Sequence, residues 1–191
     1  WGRGVRSAVE VSVAGLTDVS TGVLAAVVPR AQGRISDNWY AWGISGGGSS
    51  DYALDDVVVP SHFVNETPTQ RRGGTIFRMG YGFAANEHAG FANALAQQAL
   101  RAVTESAQAK KRGYGAGICI ADREIFQRSV AESELRLRAN KLLMIDVLER
   151  LFDASVDGEA PIALQAEARA ASVLCTDQAI AGTDALFRYA G

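Results

Sequence analysis

His88 is the residue in this sequence best suited to move a proton, because imidazole titrates near neutral pH and can serve as acid or base. It stands beside Glu87 and one turn before Phe91, where helical periodicity begins, so an imidazole and an aromatic ring share one region of a helix. The other histidine, His62, is remote in sequence, and Cys119 and Cys175 lack a CxxC or any metal-ligand spacing; no metal site is expected. A second group is cationic. Lys110-Lys111-Arg112-Gly113 ends a helical stretch. Cations and backbone donors at a helix end suit an anionic ligand, although the same residues would also offset the negative end of the helix dipole.

Two textures must position these groups. From Ala8 to Pro60 the chain reads as strands: Val9 to Val13 alternates, Val23 to Val28 is a continuous apolar run before Pro29, and Val57-Val58-Val59 precedes Pro60. Gly and Ser clusters such as Ser45 to Ser50 supply the turns. From about Ala84 the period becomes helical. Phe91, Leu95, Ala99 and Val103 mark a stripe on a first helix. A second helix, capped by Asp122, carries Ile125, Val130, Leu135, Leu142, Leu143, Val147, Leu148 and Leu151 to Phe152. Pro161 opens a third, whose many alanines allow close helix approach. The expected fold is α+β. A partial antiparallel β domain over residues 1–66 leads through a connection at 67–83 to an antiparallel helical bundle over 84–191. Three long helices with apolar stripes call for a fourth, which the sequence lacks.

Composition narrows the function classes. Lys and Arg number 19 against 21 Asp and Glu, with no block of like charge, so no nucleic-acid footprint exists. No apolar run approaches the length of a membrane span, and unpaired cysteines fit a reducing, cytoplasmic compartment. The chain begins on Trp1 rather than Met and stops at Gly191 just after a helical stretch, the pattern of a fragment.

Several strings in this order resemble the acyl-CoA dehydrogenase superfamily. Trp39 to Pro60 is similar to the family's run from a tryptophan through a glycine/serine turn to D-D-V-x-V-P; Ala94 to Leu100 resembles its first bundle helix, and Asp184 to Gly191 the end of its third. The turn and the Gln127 to Leu137 segment are nearer the flavin monooxygenase branch than the fatty acyl-CoA branch. Ser45 and Gly47 depart from the family's usual arginine and threonine.

The resemblance implies three helices of a four-helix bundle, FAD or FMN as cofactor, and a monooxygenase acting with reduced flavin and oxygen on an aromatic or polycyclic substrate. It also implies a homo-oligomer, a dimer of dimers, and a partner flavin reductase. The alternatives are an acyl-CoA dehydrogenase and a non-catalytic oligomerising homologue. By the same resemblance Trp1 and Arg3 lie at the flavin ring. Lys111, Arg112 and Tyr114, with Gln127, meet the flavin pyrophosphate of a neighbouring subunit across an insertion. His88 is the candidate catalytic residue in the substrate pocket, and Phe91 is pocket wall or core. The family's catalytic base lies beyond Gly191.

Overall fold

A computed structural model of the chain describes residues 10–16, 23–67, 73–112 and 117–190. Two compact units divide at Arg72 and Gly73. In the first, the alternating and continuous apolar runs form β1 (Glu10–Leu16) and β2 (Val23–Pro29). They pair antiparallel from Glu10 opposite Pro29 to Leu16 opposite Val23. A short pair follows, β3 (Arg34–Ser36) and β4 (Asp51–Ala53), with Ile35 opposite Tyr52. The base of this hairpin is tied twice: Asn38 Nδ2 donates to Asp51 Oδ2 at 2.6 Å, and the Asp51 amide donates to Asn38 Oδ1 at 3.0 Å. β5 (Val64–Thr67) then pairs antiparallel along the other edge of β2, giving the order β1-β2-β5. Val28, on the central strand, is buried.

The run Val57-Val58-Val59 does not form the expected strand. Asp56 takes a left-handed backbone (φ 51) immediately before it, which turns the chain away from extended pairing, and Val58 is 90% exposed.

The second unit opens with α1 (Thr75–Arg78) and a 3₁₀ turn over Tyr81–Ala84, which lead into α2 (Ala85–Ala109). A hairpin of β6 (Lys111–Arg112) and β7 (Ile118–Cys119) connects α2 to α3 (Glu124–Ala154), and α4 (Ile162–Phe187) completes the bundle. Phe126 at the start of α3 stacks edge-on against Tyr189 just past α4, while Leu151 near the end of α3 packs with Ala168 near the start of α4. These two helices therefore run antiparallel. Asn93 of α2 meets Leu137 and Asn140 of α3, and Phe126 packs with Ala107, so α2 also opposes α3 and lies parallel to α4.

The buried stripes are made of smaller residues than the sequence pattern suggested. α2 buries Ala89, Asn93, Ala96 and Leu100, whereas Phe91 and Leu95 are 64% and 54% exposed. On α4 the inner face is Ala168, Ala171, Ser172, Cys175, Ala179 and Gly182, with Val173 and Ile180 outside. Small side chains set a short interaxial distance, so the core lies where backbones meet and not where the largest apolar groups cluster. On α3 the expected stripe divides: Val147 and Leu151 are buried as the spacing placed them, whereas Leu135 and Leu142 are exposed and Leu137 and Met144 take the inner positions.

Two helix starts also differ from expectation. Arg123 occupies the N-cap of α3 without a side-chain cap, and Asp122 belongs to the preceding 3₁₀ turn. Pro161 is the N-cap of α4, one residue before the first turn, and its carbonyl accepts from the Leu164 and Gln165 amides. Upstream, the turn before α2 is pressed onto this start of α4: a Cβ on Gly82 would stand 2.7 Å from the Gln165 carbonyl oxygen. Arg78 locks the same corner. Its Nε donates to Ser155 O at 2.7 Å and its Nη2 to Val156 O, supplying the C-terminal carbonyls of α3 with a cationic donor.

Candidate functional site

α2 separates the sequence-predicted residues of the second unit into two groups. At its N-terminal end His88 projects outward, its Nε2 3.9 Å from Glu87 Oε1 and its side chain 68% exposed. Phe91 and Leu95 follow on the same outward face, three and seven residues along. Phe91 is therefore not part of the core of this unit, and His88 is not a buried structural histidine. Two residues before His88, Asn86 is buried, and neither atom of its amide has a hydrogen-bond partner among the described residues.

At the other end of α2 the basic run is divided in its duties. Lys110 is the helix C-cap, and its Nζ donates to the Ala190 carbonyl at 3.0 Å, so this lysine satisfies the end of the α4 segment. Lys111 stands exposed on β6, opposite Cys119. Arg112 pairs through its backbone with Ile118; Tyr114, like Trp1 and Arg3, lies outside the described residues. Gln127 sits in the first turn of α3, where its Nε2 donates to the Ala121 carbonyl at 3.0 Å. Lys111 and Gln127 thus occupy one end of the unit, and His88 and Phe91 the other. About 23 residues of helical rise separate them, on the order of 30 Å.

Between the ends lies a polar layer that periodicity did not reveal. Asn140 Nδ2 donates to Cys175 O at 3.3 Å and to Asn93 Oδ1 at 3.4 Å, Asn93 Nδ2 donates to Leu137 O at 3.2 Å, and the Cys175 thiol donates to Asn140 O at 3.6 Å. Asn93, Asn140 and Cys175 are buried, and burial pushes the Cys175 thiol up from its ordinary pKa. The clue was present in the spacing: Asn93 and Asn140 each interrupt a run of small or apolar residues at core intervals. No group of three His, Cys, Asp or Glu side chains able to hold a metal ion exists among the described residues.

Residues 87–191 match the family of the acyl-CoA dehydrogenase C-terminal domain. The chain belongs to the acyl-CoA dehydrogenase family. As a family member it is 31% identical over 141 residues to the indole-3-acetate monooxygenase of Pseudomonas putida, covering 70% of this chain and 35% of that protein. The whole chain superposes on 3-HSA hydroxylase from Rhodococcus sp. RHA1 with a TM-score of 0.83 at 24% identity, covering 53% of that structure. It superposes on XiaF from Streptomyces sp., solved in complex with FADH2 and glycerol, with a TM-score of 0.82 at 21% identity, covering 52%. This chain thus spans about a third of the first relative and about half of each of the two solved structures. The shared fold is the α+β arrangement of a small antiparallel sheet and a helical bundle.

Proposed function

We propose that the chain is part of a flavin-dependent oxidoreductase, a monooxygenase that uses reduced FAD or FMN and oxygen to hydroxylate an aromatic or polycyclic substrate. The observation that carries this reading is the 31% identity to indole-3-acetate monooxygenase. The donor set fits such a cofactor. Lys111 offers an exposed ammonium beside a helix end, and Gln127 an amide at the same end, the chemistry a pyrophosphate requires. Bound flavin would supply the redox chemistry, and the protein the orientation and electrostatics.

In this reading Lys111, Arg112, Tyr114 and Gln127 hold the pyrophosphate of a flavin belonging to a neighbouring copy, while Trp1 and Arg3 contact a flavin ring. His88 takes or gives a proton at the substrate, with Phe91 lining the substrate pocket beside it. The wide separation of the two groups along α2 supports their serving two different flavins, as a homo-oligomer, a dimer of dimers, requires. A separate reductase delivers reduced flavin, and the two free thiols, Cys119 and Cys175, suit a cytoplasmic setting. No helix among the described residues is long and apolar enough to cross a membrane.

The test is isotopic. Purified protein supplied with reduced FAD or FMN under ¹⁸O₂ is expected to place one labelled oxygen in an aromatic substrate, with indole-3-acetate the first to try. Anaerobic bleaching of the bound flavin by an acyl-CoA would select the dehydrogenase instead. A colourless protein that takes up no flavin would select a non-catalytic oligomer, the reading favoured by Ser45 and Gly47 together with Arg3.

A further inference from the structure

Asn86 and Asn93 lie seven residues apart on one face of α2, and the fold treats them oppositely. The Asn93 amide is paired on both sides, donating to Leu137 O and accepting from Asn140 Nδ2. Asn86 is also buried, yet neither its donor nor its acceptor has a partner among the described residues. Counting seven residues along each helix from the polar layer sets Asn86 level with Val147 of α3 and Ala168 of α4. Both are fully buried and apolar, so neither can answer an amide. An unpaired buried amide costs stability that a leucine in its place would not, and a residue standing there against that cost calls for a use.

A cavity of about 580 Å³ lies against the same layer, large enough for a small aromatic molecule. Its wall is apolar, formed by Ile76, Met79, Phe83, Leu148 and Phe152. Met79 is the partition, because it lines the cavity and also packs in one cluster with Val147 and Ala168. An unbranched thioether repacks readily, so a shift of Met79 opens the cavity towards Asn86. At the outer edge stand Glu149 and Asp153, both exposed and neither in an ion pair among the described residues. The neighbouring cations are committed elsewhere, Arg78 to Ser155 O and Val156 O, and Arg150 to Asp146 and Glu167. A helix is a poor occupant: its own backbone groups are already paired and could not serve Asn86, and it would bury two carboxylates without a cation. Asn86 also points about 200° around α2 from His88, so the cavity is separate from the substrate pocket proposed above.

We infer that this cavity binds an aromatic amine that carries a hydroxyl at its far end. The ring lies among Phe83, Leu148 and Phe152, and the ammonium meets Glu149 and Asp153 at the mouth. The hydroxyl displaces Met79 and completes Asn86, since one O–H donates to Oδ1 and its oxygen accepts from Nδ2. The inference goes beyond the oxygenase reading and does not depend on it.

Tyramine, phenethylamine and 4-hydroxyphenylacetate separate the parts of the site, because the second lacks the hydroxyl and the third carries a carboxylate in place of the ammonium. Isothermal titration calorimetry of the 191-residue chain is expected to show tyramine binding about tenfold or more tightly than either analogue. Asn86→Leu should abolish the preference for tyramine over phenethylamine and raise the midpoint of chemical denaturation. Asn86→Ala, which cannot overpack, repeats that test if leucine does not fit. The double variant E149Q/D153N should abolish the preference over the acid and keep the preference for the hydroxyl. Equal binding of all three probes, no heat from tyramine at millimolar concentration, or a hydroxyl preference that survives in the Asn86 variants overturns the site. Flavin uptake and oxygen transfer are measured separately, so their loss overturns only the oxygenase reading.

Discussion

The middle of the bundle and its two ends are built on opposite terms. In the middle, Asn93, Asn140 and Cys175 direct their polar atoms at one another and at backbone carbonyls, in a layer sealed by alanines. At the ends, His88 and Lys111 turn ionisable groups outward, and Asn86 keeps a buried amide without a partner among the described residues. A closed polar layer fixes the register of three helices because any shift would strand buried donors; open ends leave chemistry available to something outside the unit. Stability and function are thus expected to separate along α2, and substitutions can be ranked by whether they respect that separation.

The largest effect should come from the middle. Asn140→Ala removes the donor shared by Asn93 and Cys175 and leaves a cavity, so unfolding free energy should fall by about 2 to 4 kcal/mol, measured by chemical denaturation. A loss below 1 kcal/mol would show that the layer is loosely held and that the contrast between middle and ends is false.

Next in size is His88→Ala, which sharpens the comparison from the other side. If His88 acts on the substrate as proposed, turnover should drop roughly a hundredfold, while the melting temperature stays near the parent value because the ring is largely exposed. Reduced stability with full turnover per flavin-loaded enzyme would place the histidine among structural residues.

The far end should respond more mildly. Replacing Lys111 and Arg112 together by Ala removes charge-assisted bonds worth about 1.5 to 3 kcal/mol each, so flavin affinity should weaken tenfold or more with folding little changed. Lys110→Ala is the control, since its ammonium holds Ala190 O: it should lower stability more than it lowers flavin affinity. Reversed outcomes for the two variants would exchange the assignments.

What the sequence disclosed, and what it concealed, follows the same division. Segment types were legible because each obeys its own period: β1, β2 and the three long helices fall where alternation, a continuous apolar run and helical spacing placed them. The inward faces were legible only in part, with Val147 and Leu151 of α3 buried as their spacing placed them. Phe91, Leu135, Leu142 and Ile180 dominate a hydrophobic reading by size, yet they are exposed, while Ala89, Ala168 and Gly182 form the contacts. Hydrophobicity ranks side chains by the area they can hide, whereas close-packed helices select for the area they do not occupy. Backbone turns escaped for a different reason: the left-handed Asp56 that ends strand pairing before Val57 has no compositional mark. For the candidate site, the charged and aromatic residues were visible as types, but the division of labour between Lys110 and Lys111 depends on Ala190, 80 residues away.

The smallest effect is expected where α3 and α4 touch at the surface, and it tests whether exposed charge matters to the closed middle at all. Arg150 donates to Glu167 through both arms of its guanidinium, at 2.8 and 2.6 Å, and to Asp146 at 3.1 Å. Hydrogen bonding from Arg150, followed by its charge, holds the Glu167 carboxyl below its ordinary pKa. The sign of the linkage is then determined: the folded state binds the Glu167 proton less readily than the unfolded state. The pair's contribution is therefore present above the usual carboxylate range and is lost as the pH falls through the depressed value. Both partners are nearly half exposed, so water and salt screen the attraction, and only a slight change in melting temperature is expected. Arg150→Met should retain the packing of the stem and abolish that acid-dependent part, so that its melting curve converges with the parent's at low pH and falls slightly below it near neutrality. A difference that is large at neutral pH and insensitive to both acid and salt would show instead that Arg150 acts through packing, and that the bundle's middle depends on this surface more than its own hydrogen bonds imply.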